Sequence, residues 1–254
     1  MTIKQSDQIR IFLKGIETGD PAAVAVVNEA KYIQHNPHTS EGNEGLAVLF
    51  KRLSKTSPKV TMLRSFDDGD FVFAHMEYDF SSVKIGFEVF RFEEGQAVEH
   101  WDNIQPKRGP NISGHSMIDG QFETTDLALT EENREFARAF VTEVLINRQH
   151  GALENYIDDG NFTQHNPETA DGLPAYRTAL NVVFEEGFRI TYNHLHRVLA
   201  EGNFALCVSE GFLKGVHTSF YDLFRIFERR IVEHWDTIET VPPREEWLNE
   251  NGKF

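Results

Sequence analysis

Glu99-His-Trp-Asp102 and Glu233-His-Trp-Asp236 each set an imidazole and a carboxylate two positions apart, inside sequence that otherwise reads as β-strand. Residues two apart on a strand share a face, so His100 projects with Asp102 and His234 with Asp236, while Glu99 and Trp101 project from the other side. A carboxylate among apolar neighbours loses water and its pKa rises, which makes it a usable proton acceptor or donor near neutral pH. A nearby His⁺ or Arg would instead hold it ionised. Proton abstraction beside a carbonyl is the chemistry such a couple serves. The alternative is a buried, satisfied His–Asp pair that orders the strand, because structural ion pairs perturb pKa as catalytic ones do.

Each tetrapeptide has an upstream companion, Tyr32-Ile-Gln-His-Asn-Pro37 and Phe162-Thr-Gln-His-Asn-Pro167. The offset is 130 at the histidine (165 − 35) and 134 at the aspartate (236 − 102), so the chain is one domain written twice. His35 and His165 stand before Pro, where the chain leaves helix. They either point into a pocket mouth or, with Asn36 and Asn166, hydrogen-bond the turn. Aligning Gly69-Asp-Phe71 with Gly202-Asn-Phe204 sets His75 against Val208 and Glu88 against Asp222, so only the first copy has a histidine at the middle position. His75 is either a group that orients or protonates substrate or an ordinary strand histidine.

If Glu94-Gly95 forms a two-residue hairpin turn, Phe87 lies opposite Asp102 and Val89 opposite His100, which makes the His/Asp face mostly apolar. A β-bulge would change that assignment. Histidine and aspartate are also zinc ligands, but no short spacing such as His-Glu-x-x-His occurs, so neither a metal nor a cofactor is expected. No Gly-rich phosphate loop and no Gly-x-Ser-x-Gly elbow is present.

The positioning elements repeat as well. Ile9, Phe12, Leu13 and Ile16 have helical spacing, Ala22 to Val27 starts a second helix, and Leu46, Leu49, Phe50 and Leu53 mark a third. In the second copy Thr130 is placed to cap a helix bearing Phe136, Phe140, Val141, Val144 and Leu145, Leu153 to Ile157 follows, and Tyr176, Leu180, Val183 and Phe184 mark the third. Strands are expected at 60–66, 71–79, 86–92 and 97–104, and again at 188–199, 204–212, 220–227 and 231–238. Helices followed by consecutive strands give an α+β class with antiparallel sheets. The expected domains are 1–122, with 105–122 as a polar linker or strap over the first, and 123–254.

The formal net charge of −15 disfavours nucleic acid and anionic membranes as partners, and a small neutral or carbonyl-bearing molecule suits the chain better. A 40% hydrophobic content with 21 Phe supports folded domains. The first ten residues lack the apolar core of a signal peptide and no apolar run is long enough to span a bilayer, so a cytoplasmic location is expected. Cys207, the single cysteine, is expected to be buried as a small hydrophobe.

Helices first, Gln-His-Asn-Pro early and Glu-His-Trp-Asp on the last strand resemble the SnoaL-like branch of the NTF2-like superfamily, over nearly all of both halves. The closest resemblance is to the predicted SnoaL-like aldol-condensation proteins, whose ends look like Trp235-Asp-Thr-Ile-Glu-Thr-Val-Pro242 and Asn251-Gly-Lys-Phe254; Ser113 to Gly120 resembles their tail too. The resemblance implies two NTF2-like domains, each of three helices on a curved antiparallel sheet, packed as an intramolecular pseudo-dimer, with further homo-oligomerisation open. It implies a cofactor-free cyclase, isomerase or lyase in which an aspartate acts as acid/base in an apolar cavity. That precedent falls on Asp102 and Asp236, supported by His100, His75 and His35 in one copy and by His234 and His165 in the other. The rival is a protein of the same fold that binds a small apolar ligand without turning it over.

Overall fold

The computed structural model describes residues 3–184 and 187–254 and divides the chain into two compact units, Met1–Pro106 with Pro242–Phe254, and Lys107–Val241. This differs from a division at residue 122. Residues 107–122, read as a strap over the first copy, belong to the second unit, and the chain beyond the last strand returns to the first.

In unit 1, α1 (Gln5–Thr18) buries Ile9, Phe12, Leu13 and Ile16 and ends at Gly19, whose φ of 69° suits a left-handed helix cap. The second helix is a 3-10 turn, Pro21–Val26, started by the Asp20 carboxylate accepting from the Ala22 N–H at 2.9 Å. There follow β1 (Ile33–Gln34), α2 (Gly42–Leu53), β2 (Lys59–Asp68), β3 (Phe71–Asp79), β4 (Val83–Glu93) and β5 (Gln96–Pro106). The sheet order is β1-β5-β4-β3-β2, with β1 parallel to β5 and the other pairs antiparallel.

Unit 2 repeats this with α3 (Thr130–Phe140), running on through a π-helical turn to Ile146, then α4 (Leu153–Tyr156), β6 (Thr163–Gln164), α5 (Leu173–Leu180), the short ribbon β7 (Val183–Phe184) and β8 (Gly187–Phe188), and β9 (Ile190–Glu201), β10 (Phe204–Leu213), β11 (Val216–Phe227) and β12 (Arg230–Thr240). Its main sheet runs β6-β12-β11-β10-β9. Two local expectations fail. Thr130 is not the cap but the first helical residue, because a 3-10 turn at Leu127–Leu129 feeds the helix; its hydroxyl donates to the Leu127 carbonyl instead. Val183 and Phe184 are not helical: Asn181 caps α5 by donating from Nδ2 to the Arg177 carbonyl, and the β-branched Val182-Val183 that follows favours extended chain.

In both units one face of the sheet packs on the helices. Phe12 meets Phe90 edge-on at 5.9 Å, and Phe140 meets Phe224 at 5.3 Å, so the repeat extends to the aromatic pair that joins helix to sheet. Removing either phenyl ring would cost about 3–5 kcal/mol.

Both site-bearing hairpins carry the same irregularity. Glu94 and Gly95 take φ of 52° and 82°, as a two-residue turn with twist matched to the strands requires. Pairing then starts Glu93 with Gln96 and Phe92 with Ala97, but Arg91 pairs with Glu99, leaving Val98 as a bulge. The register therefore slips by one, so Glu88, and not Phe87, lies opposite Asp102, and Phe90 opposite His100. Val232 plays the same part in unit 2, where Asp222 lies opposite Asp236.

Candidate functional site

The slipped register puts a second carboxylate on the face that carries His100 and Asp102. Glu88 is 2% exposed, His100 8% and Asp102 4%, all on the helix-covered side of the sheet. His100 Nε2 lies 2.6 Å from Glu88 Oε2, and the Tyr78 hydroxyl donates to Glu88 Oε1 at 2.7 Å. On the other ring nitrogen, His100 Nδ1 donates to Gln34 Oε1 at 3.1 Å. Gln34 is oriented by the turn it belongs to, since Oε1 also accepts the Asn36 N–H at 2.8 Å. The 2.6 Å contact between ring nitrogen and carboxylate is a short, charge-assisted hydrogen bond. Asn36 Nδ2 donates to Asp102 Oδ2 at 2.6 Å, and the buried Lys253 ammonium reaches Asp102 Oδ1 at 3.4 Å and its carbonyl at 2.8 Å.

Unit 2 builds the same cluster with a different proton order. Asp222, His234 and Asp236 replace Glu88, His100 and Asp102, and Asn166 Nδ2 donates to Asp236 Oδ2 at 2.6 Å. Gln164 Oε1 accepts the N–H groups of His165 and Asn166, both at 3.0 Å, so its Nε2 is the end that faces His234 Nδ1, at 2.9 Å. An amide N–H donates, so Nδ1 accepts and the ring proton sits on Nε2, which donates to Asp222 Oδ1 at 2.9 Å. The Tyr192 hydroxyl reaches the same Asp222 oxygen at 3.3 Å, while the buried Oδ2 has no hydrogen-bond partner. Burial pushes the Asp236 carboxyl above its ordinary range, helped by the charge of Asp222 and only partly opposed by His234, Asn166 and Arg108. Cys207 is fully buried opposite Asp222, and burial, then that carboxylate, raise its thiol pKa.

His35 and His165 do not join these clusters. Each lies on the other side of the strand, stacked on the tryptophan at 4.6 Å (His35 on Trp101) and 4.5 Å (His165 on Trp235). His35 Nε2 meets Glu99 Oε1 at 2.9 Å and its Nδ1 donates to the Gly252 carbonyl at 2.9 Å. His165 Nε2 meets Glu233 Oε1 at 3.2 Å, and its Nδ1 faces the Ser116 carbonyl and Asp119 Oδ1. Arg91 and Arg225 hold the second oxygens of Glu99 and Glu233. Burial alone would raise Glu233, but the hydrogen bonds from His165 and Arg225 outweigh it and its carboxyl ends below the usual range. Within unit 2, a Cβ on Gly120 (φ 87°) would come within 2.3 Å of Glu233 Oε1 and 2.6 Å of the Trp235 ring, so only glycine lets this segment lie so close.

His75 is fully buried but pairs with Phe87 across the sheet, and so shares the face of Trp101, not that of Asp102; Arg64 donates to its Nδ1 at 2.8 Å. The group that does reach Asp102 from the Gln-His-Asn-Pro turn is Asn36, and the one that holds His100 is Gln34. The ligand atoms of Glu88, His100 and Asp102, and of Asp222, His234 and Asp236, lie within 4.8 Å of one another. A resident cation suits neither trio: the Lys253 ammonium stands beside Asp102, and Gln164 directs the N–H of His234 toward Asp222.

No protein-family model and no curated protein matches the chain. Among solved structures it is similar to TsrD from Streptomyces laurentii (21% identity, TM-score 0.35, 39% of this chain and 86% of that one). It is also similar to IdmH, a putative polyketide cyclase from Streptomyces antibioticus (16%, TM-score 0.36, 41% and 93%), and to a putative ketosteroid isomerase from Kribbella flavida (18%, TM-score 0.37, 48% and 91%). An NTF2-like protein of unknown function from Cytophaga hutchinsonii is 18% identical, with TM-score 0.35, over 42% of this chain and 94% of that one. Among the described residues no helix is long and apolar enough to cross a membrane.

Proposed function

We propose that the chain is an acid/base enzyme acting on a small carbonyl compound, by aldol-type cyclisation, isomerisation or related enolate chemistry, with Asp236 as the principal proton shuttle. The observation that carries this is the buried carboxylate–imidazole–carboxylate cluster in each copy, with one carboxylate shifted upward by burial. A carboxyl poised nearer neutrality exchanges protons with a carbon acid more readily than an ordinary one. Asn166 orients Asp236, and Asp222 with Gln164 fixes the adjacent imidazole.

Unit 1 supports the second reading, a ligand-binding site without turnover. Both oxygens of Asp102 are engaged, one by Asn36 and one by Lys253, which leaves neither open to a substrate. The test is to replace Asp102 and Asp236 by Asn, singly, and follow turnover of enolisable ketones. The proposal requires Asp236→Asn to lose turnover on the order of 100-fold or more. Unchanged rates in both variants would leave the binding reading alone.

A further inference from the structure

On the side of the unit 2 sheet that turns away from the helices, three imidazoles gather round one carboxylate. Glu210 stands three residues beyond Cys207 on β10, and so projects from the opposite face to the Asp222 cluster. Its Oε2 accepts from His196 Nε2 at 3.0 Å and its Oε1 from His217 Nε2 at 2.7 Å. His194 lies directly opposite Glu210 in the β9–β10 register, with its ring 4.5 Å from that of His196. The side chains of His196, Glu210 and His217 are 24%, 32% and 40% exposed, and His194 is exposed too, so an ion in solvent has access to all four.

The first copy shows what the sheet needs at these positions. Glu77 matches Glu210 at an offset of 133 (210 − 77). Thr61 pairs with Glu77 as His194 pairs with Glu210. Leu63 is the extra residue of a bulge between Met62 and Arg64, as His196 is between Leu195 and Arg197. Val83 pairs with Asp79 as His217 pairs with Phe212. Unit 1 therefore builds the same strands and the same bulge around the same acid with Thr61, Leu63 and Val83, none of which is an imidazole. The fold does not call for the three histidines, yet all three positions around Glu210 carry one.

We infer that His194, His196, His217 and Glu210 form a binding site for a zinc-class divalent cation, which clips β9, β10 and β11 together on the face away from the acid/base cluster. Imidazole and carboxylate are donors such ions take, and four protein ligands make a closed structural site. His196 and His217 already present Nε2, a metal-ligating atom, to one carboxylate. The ion takes the place of the two Nε2 protons, which move to Nδ1 in the neutral rings. Closing from hydrogen-bond to ligand distance, roughly 2.0–2.1 Å, takes rotation of partly exposed side chains. Burial, with the charge of His194, lowers the His196 pKa against the pull of Glu210, which favours the neutral ring that a metal requires. Burial alone would raise Glu210, but the hydrogen bonds from His196 and His217 outweigh it and keep the carboxylate ionised.

The experiment is calorimetric titration of zinc chloride into the untagged full chain after treatment with a chelator. One saturable site per chain is expected. It is lost when the histidines are exchanged for the residues with which unit 1 already folds, His194→Thr with His196→Leu and His217→Val. In the unaltered chain, zinc is expected to shift the imidazole NMR signals of His194, His196 and His217 and to leave those of His100 and His234 in place. It should also raise the midpoint of urea unfolding, a rise absent from the triple variant. No saturable binding, signals that move at His100 or His234 instead, or a triple variant that binds zinc as the parent does would each overturn the inference.

Discussion

Gln164 Nε2 donates to His234 Nδ1 at 2.9 Å, and this bond decides which ring nitrogen carries the proton. With the other end of the amide accepting two backbone N–H groups, the glutamine cannot turn over without breaking both. Nitrogen-15 NMR is therefore expected to find His234 protonated at Nε2 alone. Gln164→Glu offers Nδ1 an acceptor, so the ring should gain a second proton and turnover should fall on the order of 100-fold. A ring already protonated on Nδ1 in the unaltered protein would contradict the assignment.

The raised carboxyl of Asp236 has a defined sign in stability. Its native pKa lies above the unfolded one, so the native state holds the proton more tightly; its contribution is full below the unfolded value of about 3.9 and is lost as pH rises through the native one. Asp236→Asn removes that titration. Urea unfolding across this range is expected to show the variant gaining stability relative to the parent as pH rises, and an unchanged pH slope would refute the burial argument.

Lys253 and Asp102 form a buried pair, with side chains 1% and 5% exposed. Lys253→Met leaves the carboxylate without its cation and should cost about 3 kcal/mol. Adding Asp102→Asn should recover much of that loss, and a double-mutant cycle reads the coupling directly. Additive effects would mean that the pair does not interact.

His35 and His165 work from the opposite face. His35→Gln and His165→Gln should each lower stability by about 1–2 kcal/mol through lost hydrogen bonds, with kcat unchanged. A fall in kcat at full stability would return these histidines to the chemistry.

The duplication, the α+β order and every long strand were legible in the sequence, because strand periodicity and the repeated motifs are local signals. So was the pairing of His100 with Asp102 on one face, which needs only alternation. Glu88 and Asp222 were not: their place depends on bulges at Val98 and Val232, and a bulge residue looks like any other valine. The one available signal was that Glu88 and Asp222 match between copies, acid for acid, in a tract that is otherwise apolar. His35 misled for a related reason. A turn before proline fixes backbone direction but not the side of the neighbouring strand on which the ring falls, and Asn36, one residue on, took the inward place.

Deuterium uptake at the α-carbon of a bound ketone, followed by NMR in heavy water, tests the central claim without knowledge of the natural substrate. Exchange catalysed by the unaltered protein is expected, falling on the order of 100-fold when Asp236 is replaced by Asn. Exchange that continues at the parent rate with both Asp102 and Asp236 replaced would contradict it.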